Sequence, residues 1–539
     1  MSSKKLLSIL LVVALLMTSF VGCGKKDEQD TNVGSENQGN QEKTNPGEPQ
    51  YGGVMKVALN NNVKNLDPLY IDSATAEQVM VQVGETLLDS TYDLNDYMPC
   101  LATSWKISED GLEYTFQLRD DVYFHPGKFQ DGRLMTAEDV AYSINRSKDY
   151  FCNFLWMMDR MEVTGDNQVT AYLTQPDANF LYQLTHTSTT IVPKEEVDGW
   201  GKDFTTNLVS TGPFILKEHK PDQKSVLVRN DKYWGEKPYL DGIEFQIIPE
   251  QAQAINALKA GEIDFVFDVT GESIKLVKGD KNLDLLQTPR YLVRFVGFNT
   301  KDEVLDDIKV REALIMGTDY EQLVAGTYLY GEGEALRLPL PKMSWAYDES
   351  LEDLVPTFDP VGAKKLLEEA GYKDGFTVKV MTKGDPISMR TLTILQQQWK
   401  QNLNVNLQID TVEATTFMDS LISGKFQMET GAQNSSADPA TNIGYHFNTE
   451  KLNSNYNAWG YSNPEVDKLI NQGLAEQDRE KRIEIYHEIM RIAVPEHVGI
   501  FFGSDKISWG VSNKLHGIQQ ENNTILTISG KGINVWKEQ

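Results

Sequence analysis

The stretch from Phe376 to Asn442 reads FTVKVMTKGDPISMRTLTILQQQWKQNLNVNLQIDTVEATTFMDSLISGKFQMETGAQNSSADPATN, and its pattern decides the expected fold. Apolar and polar residues alternate in some parts of it and recur at helical spacing in others. The pattern predicts five elements in order: a strand over 376–381, a helix over about 388–402, a strand over 405–410, a helix over about 414–423 and a strand over 426–430. Helices between strands indicate parallel pairing with right-handed crossovers, so the sequence predicts an α/β unit here.

The segment after the third strand, residues 431–442, is small, polar and rich in hydrogen-bonding groups, without His or Cys. In parallel sheets ligands bind beyond the carboxyl ends of the strands, so we interpret this segment as a recognition loop. An ordinary connection built from turn-forming residues is the alternative. The candidate ligand-binding residues are Gln433, Asn434, Ser435 and Asp438, followed by two aromatic residues that could stack on a ligand or pack beneath the loop, Tyr445 and Trp459.

Length and charge limit the class of protein. A chain of 539 residues is too long for one hydrophobic core, so two or three domains are expected. The 51 basic and 78 acidic residues give a formal net charge of −27. A body this acidic does not hold nucleic acid by neutralising phosphates, and we expect no nucleic-acid partner.

The N-terminus has the pattern of an export signal. Two lysines precede an apolar run over residues 6–17, which is too short to span a bilayer. The run leads into residues 20–23, FVGC, which resemble the lipobox of bacterial lipoproteins except that Phe20 replaces the usual Leu. We therefore predict a signal peptide over residues 1–22 and a lipid on Cys23, with an unmodified Cys23 in a secreted precursor as the alternative.

The residues that follow the predicted lipidation site favour a tether. Residues 24–50 are almost entirely polar and cannot bury enough surface to offset the entropy of ordering, so residues 23–50 are predicted to be a lipidated Cys and a disordered tether. Its reach is about 30 Å, and two acyl chains on one Cys suffice for stable anchoring. The other two cysteines, Cys100 and Cys152, could form a disulfide or remain free thiols.

Several local signals predict individual elements. Thr136 and Asp139 have the spacing of a reciprocal cap at the start of a helix. Residues 251–260 predict a helix that Gly261 ends, and the alternation over 263–269 predicts a strand.

An ordered set of segments carries a resemblance to a known family. The segments are Asn65-Leu66-Asp67-Pro68, residues 131–140, residues 210–214 with 229–235, residues 239–264, Gly297-Phe298-Asn299-Thr300 with 307–314, and residues 461–482. In this order the chain resembles the peptide/nickel-type solute-binding proteins of ABC transporters, which include oligopeptide- and dipeptide-binding proteins. The match spans nearly all of residues 52–518.

The resemblance implies an α/β, two-lobed periplasmic-binding-protein-like fold of the large class, with mixed sheets joined by a hinge and an extra domain. It implies that lobe one comprises residues 51–97, 210–290 and 503–539, the extra domain residues 98–209, and lobe two residues 291–502. The hinge is expected near residues 290–295 and 501–503. Closure around a ligand requires that the ligand bind the closed form more tightly.

One residue departs from the family pattern. The family's recognition loop usually carries an Asp three residues before an Asp-Pro pair, and in peptide binders that Asp pairs with the free α-amine. The pair is present as Asp438-Pro439, but Ser435 stands at the earlier position. A neutral hydroxyl cannot form the charge-assisted bond that makes amine capture strong.

The expected function is the capture of a solute, peptide on the strength of the family, and its delivery to a membrane permease. We expect a monomer held by its lipid on the outer face of a cell membrane, with a Gram-positive surface favoured over a periplasm, and no enzymatic activity or cofactor. An oligosaccharide or a nickel or haem chelate remains an alternative ligand. A secreted glycoside hydrolase is the alternative from another class, but no pair of carboxylates in the sequence is marked out for it.

Overall fold

The computed structural model describes residues 47–71, 73–91, 94–148, 155–452, 454, 456–519 and 525–539, and for Tyr445 the backbone alone. The predicted signal peptide, Cys23, nearly all of the tether and Cys152 lie outside the described residues. Residues 49–539 form one compact unit, which is the unit described below.

The strands are, in chain order, β1 Val54–Leu59, β2 Leu88–Ser90, β3 Tyr97–Pro99, β4 Ala102–Ile107, β5 Glu113–Leu118, β6 Met158–Gly165, β7 Gln168–Leu173, β8 Phe214–Lys220, β9 Lys224–Arg229, β10 Gly242–Ile247, β11 Phe265–Val266, β12 Leu283–Pro289, β13 Leu292–Phe298, β14 Gly333–Ala335, β15 Thr377–Thr382, β16 Asn406–Thr411, β17 Met428–Asn434, β18 Gly499–Ser512, β19 Leu515–His516, β20 Ser529–Gly530, β21 Ile533–Asn534 and β22 Trp536–Lys537.

The α-helices are α1 Ala74–Val83, α2 Ala137–Ser147, α3 Phe180–Gln183, α4 Lys194–Trp200, α5 Gln251–Ala260, α6 Glu272–Lys278, α7 Ile308–Met316, α8 Tyr320–Thr327, α9 Pro360–Glu369, α10 Pro386–Leu403, α11 Ala414–Ser423, α12 Pro439–Phe447, α13 Pro464–Ala475 and α14 Arg479–Ala493.

A mixed sheet forms the centre of the fold, with the strand order β16-β15-β17-β13-β18-β11-β1-β10-β9-β8. The long strand β18 belongs to both halves of this sheet. Its first part pairs with β13 and β14, and its second part pairs with β11 and β12. Strands β4 to β7 form a separate four-stranded antiparallel sheet. The fold is therefore α/β, with one mixed sheet whose two halves share strand β18 and a separate antiparallel sheet.

The predicted β-α-β-α-β unit is confirmed as β15-α10-β16-α11-β17. Strand β15 pairs in parallel with both β16 and β17, so the first strand of the unit lies between the other two. One boundary was wrong, because β17 continues to Asn434 instead of ending at residue 430. The reason is its antiparallel partner β13, which pairs as far as Leu292 with Asn434. Gln433 and Asn434 therefore lie on a strand and not in a loop.

Buried apolar residues fall into separate clusters along the sheet. One cluster draws only on residues 293–502. A second draws on residues 55–83, 192–267 and 507–535, and a third on residues 87–191 around the four-stranded sheet. Val192, Phe204 and Leu208, which the predicted boundaries assign to the extra domain, pack in the second cluster.

The local signals have different outcomes. The reciprocal cap of Thr136 and Asp139 is confirmed at the start of α2, and α5 has the predicted bounds, with Gly261 in the left-handed conformation. The predicted strand over 263–269 was too long, because only β11 is paired. Phe267 is buried without belonging to the strand, and the chain turns at Asp268, where φ is 51°. The apolar alternation there reflects burial rather than strand pairing.

Candidate functional site

The two halves of the sheet meet at Arg290 and Tyr291, between β12 and β13. The Arg290 amide donates to the Asp505 carbonyl at 3.0 Å, and the Ser504 hydroxyl donates to the Arg290 carbonyl at 2.7 Å. The pairing of β13 with β18 shifts register between Arg294 and Phe295. The two segments predicted to contain the hinge thus lie beside each other, with an irregularity in their pairing.

The segment predicted to recognise the ligand begins at this junction. Asn434 accepts a hydrogen bond from the Arg290 guanidinium through Oδ1 at 3.0 Å. The Ser435 amide donates to the Tyr291 carbonyl at 2.9 Å, and the Ser435 hydroxyl donates to the Ser436 carbonyl at 3.1 Å. Asn434 is exposed, while Gln433 and Ser435 are half-buried. The amides and hydroxyls of Gln433, Asn434 and Ser435 therefore line the edge of β17.

Asp438 forms contacts within the protein through both carboxylate oxygens. Oδ1 accepts from the Ala440 amide at 2.9 Å and caps α12, while Oδ2 forms an ion pair with Arg482 at 2.7 Å. The residue is 7% exposed. Arg482 also donates to the Gly473 carbonyl, so the pair joins the start of α12 to α13 and α14. In this arrangement Asp438 positions the segment and carries no open charge.

Trp459 is 1% exposed, and its indole nitrogen donates to Glu429 Oε1 at 2.8 Å. The His446 ring stacks on it with a centroid distance of 4.6 Å. Trp459 is therefore packed beneath the loop, which is the alternative to ligand stacking that the sequence analysis gives for it. Burial raises the pKa of Glu429 to about 7, and the hydrogen bond from Trp459 opposes the rise. The side chain of Tyr445 lies outside the described residues.

Residues 94–96, from the predicted lobe one, contact the segment on the other side of the junction. Leu94 packs with Tyr291 and Ala437 in a small buried cluster. The Tyr291 hydroxyl donates to Asn95 Oδ1 at 3.4 Å. Arg479 donates to the Asn95 carbonyl, and its guanidinium lies 3.8 Å from the Asp96 carboxylate. Residues 94–96 therefore lie against the segment that contains Ser435.

A second strand edge at this junction, formed by the carboxyl ends of another set of parallel strands, was not predicted from the sequence. Strands β10 and β11 both run parallel to β1, so their carboxyl ends share one edge. Asn60 follows β1 there and Asp268 follows β11, and both are exposed. Asn60 donates to the Asp268 carboxylate at 3.4 Å. The rule that selected residues 431–442 applies equally to this edge.

The pKa of Asp268 is shifted by desolvation and by two nearby residues, Arg290 and Asn60. Desolvation by the surrounding protein raises the pKa of Asp268, while the charge of Arg290 and the hydrogen bond from Asn60 lower it. Arg290 therefore acts on both edges, because its guanidinium also donates to Asn434.

Three further observations on the described residues concern metal-binding groups, membrane-spanning helices and thiols. No group of three or more His, Cys, Asp or Glu side chains that could hold a metal ion occurs among them. No helix in the described part of the chain is long and apolar enough to cross a membrane. Cys100 has no disulfide partner within the described residues, which do not include Cys152, and burial raises the pKa of its thiol.

Comparison with known proteins identifies the family. The model described as "Bacterial extracellular solute-binding proteins, family 5 Middle" matches residues 96–455. The dipeptide-binding protein of Escherichia coli K12 is 28% identical over 450 residues, covering 78% of this chain and 83% of the relative. Heme-binding protein A of Haemophilus influenzae is 28% identical over 448 residues, covering 78% and 81%.

A solved structure has the same fold. The oligopeptide-binding protein AppA of Bacillus subtilis, in complex with a nonapeptide, aligns with a TM-score of 0.70 and 25% identity, covering 91% of this chain and 100% of that one. The family consists of binding proteins. In this chain the carboxyl ends of two sets of parallel strands meet at one junction. The chain belongs to the bacterial extracellular solute-binding proteins of family 5.

Proposed function

We propose that this protein captures a short peptide outside the cytoplasmic membrane and delivers it to the permease of an ABC importer. The observation that carries the proposal is the pair of strand edges at one junction, within a chain of the solute-binding family. One edge presents the amides and hydroxyls around Asn434 and Ser435, and the other presents Asn60 and Asp268. Peptide is favoured because relatives that cover most of the chain are dipeptide- and oligopeptide-binding proteins.

Capture is proposed to use closure of two lobes. The lobes have the ranges predicted from the sequence: 51–97, 210–290 and 503–539 for lobe one, and 291–502 for lobe two. Support comes from the buried clusters, since one of them draws only on residues 293–502. Strand β18 passes from one half of the sheet to the other beside the register shift at Arg294, which is a suitable place for bending.

Attachment to the membrane is proposed to use the lipid on Cys23 after removal of residues 1–22. The tether to residue 50 gives the body a reach of about 30 Å around its anchor. A monomer suffices, because the two edges that face the ligand belong to one chain. Labelling of whole cells with a radioactive fatty acid tests this point, and a Cys23→Ser variant that still takes up label would contradict it.

A haem chelate is the second candidate ligand, and the relative named heme-binding protein A favours it. An oligosaccharide would also suit the amides and hydroxyls at the edge of β17. Native mass spectrometry of protein purified without denaturation distinguishes the three. A bound mass that fragments into amino acids supports the proposal, whereas a porphyrin or a sugar mass would overturn peptide as the ligand.

A further inference from the structure

Asp268 occupies an unusual backbone position at the carboxyl edge of β1, β10 and β11. Its φ of 51° lies in the left-handed region, which Asp and Asn tolerate better than most other side chains. The Gln251 side chain donates to the Asp268 carbonyl at 2.7 Å and ties the backbone to the start of α5. The fold therefore holds a carboxylate at the strand edge, in a conformation that a β-branched residue would not adopt.

The carboxylate of Asp268 is left open by this arrangement. Among the described residues its side-chain hydrogen-bond partner is the neutral amide of Asn60, at a long 3.4 Å, and it forms no ion pair there. Two carboxylates that are more buried than Asp268 do have cationic partners: Asp67 pairs with Arg146 at 2.6 Å and Asp505 with Arg294 at 2.7 Å. Asp268 differs from these two in being exposed and in having no cation in contact within the described part of the chain.

Arg290 shows the complementary feature. Its backbone is fixed by Asp505 and Ser504, and its guanidinium donates to the neutral Asn434 at 3.0 Å. Among the described residues it forms no ion pair with a carboxylate, although its charge lowers the pKa of Asp268. One positive and one negative side chain therefore lie at the junction, and within the described part of the chain the charged group of each is hydrogen-bonded to a neutral amide.

We propose that Asp268 and Arg290 form a charged subsite for a zwitterionic ligand, in which Asp268 binds an ammonium group and Arg290 binds a carboxylate. The inference rests on the proposed function and specifies its ligand as a peptide with free termini or another amino-acid derivative. Charge-assisted hydrogen bonds of this kind are shorter and stronger than neutral ones, and the guanidinium can hold a carboxylate in two bonds. Amine recognition then lies on lobe one, whereas Ser435 on lobe two supplies no charge.

The pairing of charges disfavours other ligands. A simple cation is attracted by Asp268 but repelled by Arg290. A simple anion is attracted by Arg290 but repelled by Asp268. A neutral sugar would leave both charges without partners when closure removes water, which is costly for buried charges. A zwitterion satisfies both groups at once.

The test begins with capture from a synthetic pool of random di- to pentapeptides, read by native mass spectrometry. The captured peptide is then synthesised in its free form, with an acetylated N-terminus and with an amidated C-terminus, and each is titrated calorimetrically into the full-length protein. We expect acetylation to weaken binding to the wild type at least tenfold. Asp268→Asn keeps the left-handed backbone acceptable and should bind the free and acetylated forms equally.

Two further variants complete the design. Arg290→Gln should lose the preference for a free over an amidated C-terminus while keeping the preference for a free N-terminus. The matched control is Asp222→Asn, because Asp222 is exposed, has a φ of 63° and bonds to the Asn62 side chain in the turn between β8 and β9. It should leave every affinity within twofold of the wild type.

The outcomes separate the subsite from the proposed function. If peptides bind and Asp268→Asn binds the free form as the wild type does, the subsite is overturned while peptide capture stands. Equal losses in Asp268→Asn and Asp222→Asn would show a general effect of net charge and would also overturn it. If the pool yields no bound peptide and a haem or sugar ligand binds instead, the function and the subsite both fail.

Discussion

The two strand edges that meet at Arg290 are built alike and carry their charges differently. Each lies at the carboxyl ends of parallel strands, on β15 to β17 in one case and on β1, β10 and β11 in the other. The carboxylates near the first edge, Glu429 and Asp438, are bonded to Trp459 and to Arg482 inside the protein. On the second edge Asp268 stays open. A position at the end of a strand thus identifies a candidate binding residue. Its partners within the protein determine whether its side chain is available to bind a ligand.

The largest expected effect concerns the stability that Asp438 provides. Asp438→Asn retains a cap for α12 but leaves Arg482 without its buried partner, so the free energy of unfolding should fall by about 3–5 kcal/mol. Asp268→Asn should change it by no more than about 0.5 kcal/mol, as a surface substitution does. Urea denaturation of both variants measures the contrast, and similar losses would show that the two carboxylates are equally involved in packing.

A second effect concerns Glu429 and its dependence on pH. Because burial raises its pKa to about 7 from 4.5, the folded protein keeps the proton at a pH where the unfolded chain has lost it. The contribution of this group to stability is therefore complete below pH 4.5 and is lost as pH rises to 7, by about 3 kcal/mol.

Glu429→Gln removes that titration while keeping an acceptor for Trp459. The variant should gain stability relative to the wild type between pH 4.5 and pH 8, measured by urea denaturation at both values. Glu303→Gln, an exposed control, should keep the wild-type profile. A difference between Glu429→Gln and wild type that does not change with pH would contradict the burial of a titrating carboxylate at this edge.

A third effect tests whether the first edge can be given an open charge. Ser435→Asp places a carboxylate where the family pattern has one, and we expect it to raise the affinity for peptides with a free amine by about tenfold. The gain should be larger in the Asp268→Asn background, where no other carboxylate serves the amine. Calorimetry with free and acetylated peptide measures it, and unchanged affinity for every peptide would show that Ser435 does not face the amine.

The smallest effect concerns the contact of Arg479 with residues 95 and 96. Arg479→Ala removes the exposed ion pair with Asp96 and the hydrogen bond to the Asn95 carbonyl. Both contacts favour the closed arrangement of the two predicted lobes. Exposed pairs contribute at most about 1 kcal/mol, so the affinity for peptide should fall by no more than about fivefold. The deficit should shrink in high salt. A loss above a hundredfold would mean that Arg479 binds the ligand itself.

The sequence predicted the α/β unit because its periods of apolar residues were long and its helix ends were marked. It also predicted where a helix begins, as at Thr136, since capping needs only neighbours along the chain. It could not predict that β17 extends to Asn434, because that depends on β13, more than a hundred residues away.

The site was predicted less completely for the same reason. Asp438 and Trp459 stay predicted ligand-binding residues, but the sequence could not show that Asp438 pairs with Arg482 or that His446 stacks on Trp459. Asp268 had no signal of its own, because a single Asp after a short apolar run is common. The pairing of β1 with β11 brings it to the edge at the junction, where the charge of Arg290 lowers its pKa.

The most direct measurement is a crystal structure of the protein with the peptide captured from the random pool. We predict that the peptide lies between the two edges, in contact with the segment at Asn434 and Ser435 on one side and with Asp268 on the other. Its ammonium nitrogen should lie about 2.7–2.9 Å from the Asp268 carboxylate, with its terminal carboxylate on Arg290. A peptide bound elsewhere, or one that touches a single edge, would contradict capture between two lobes.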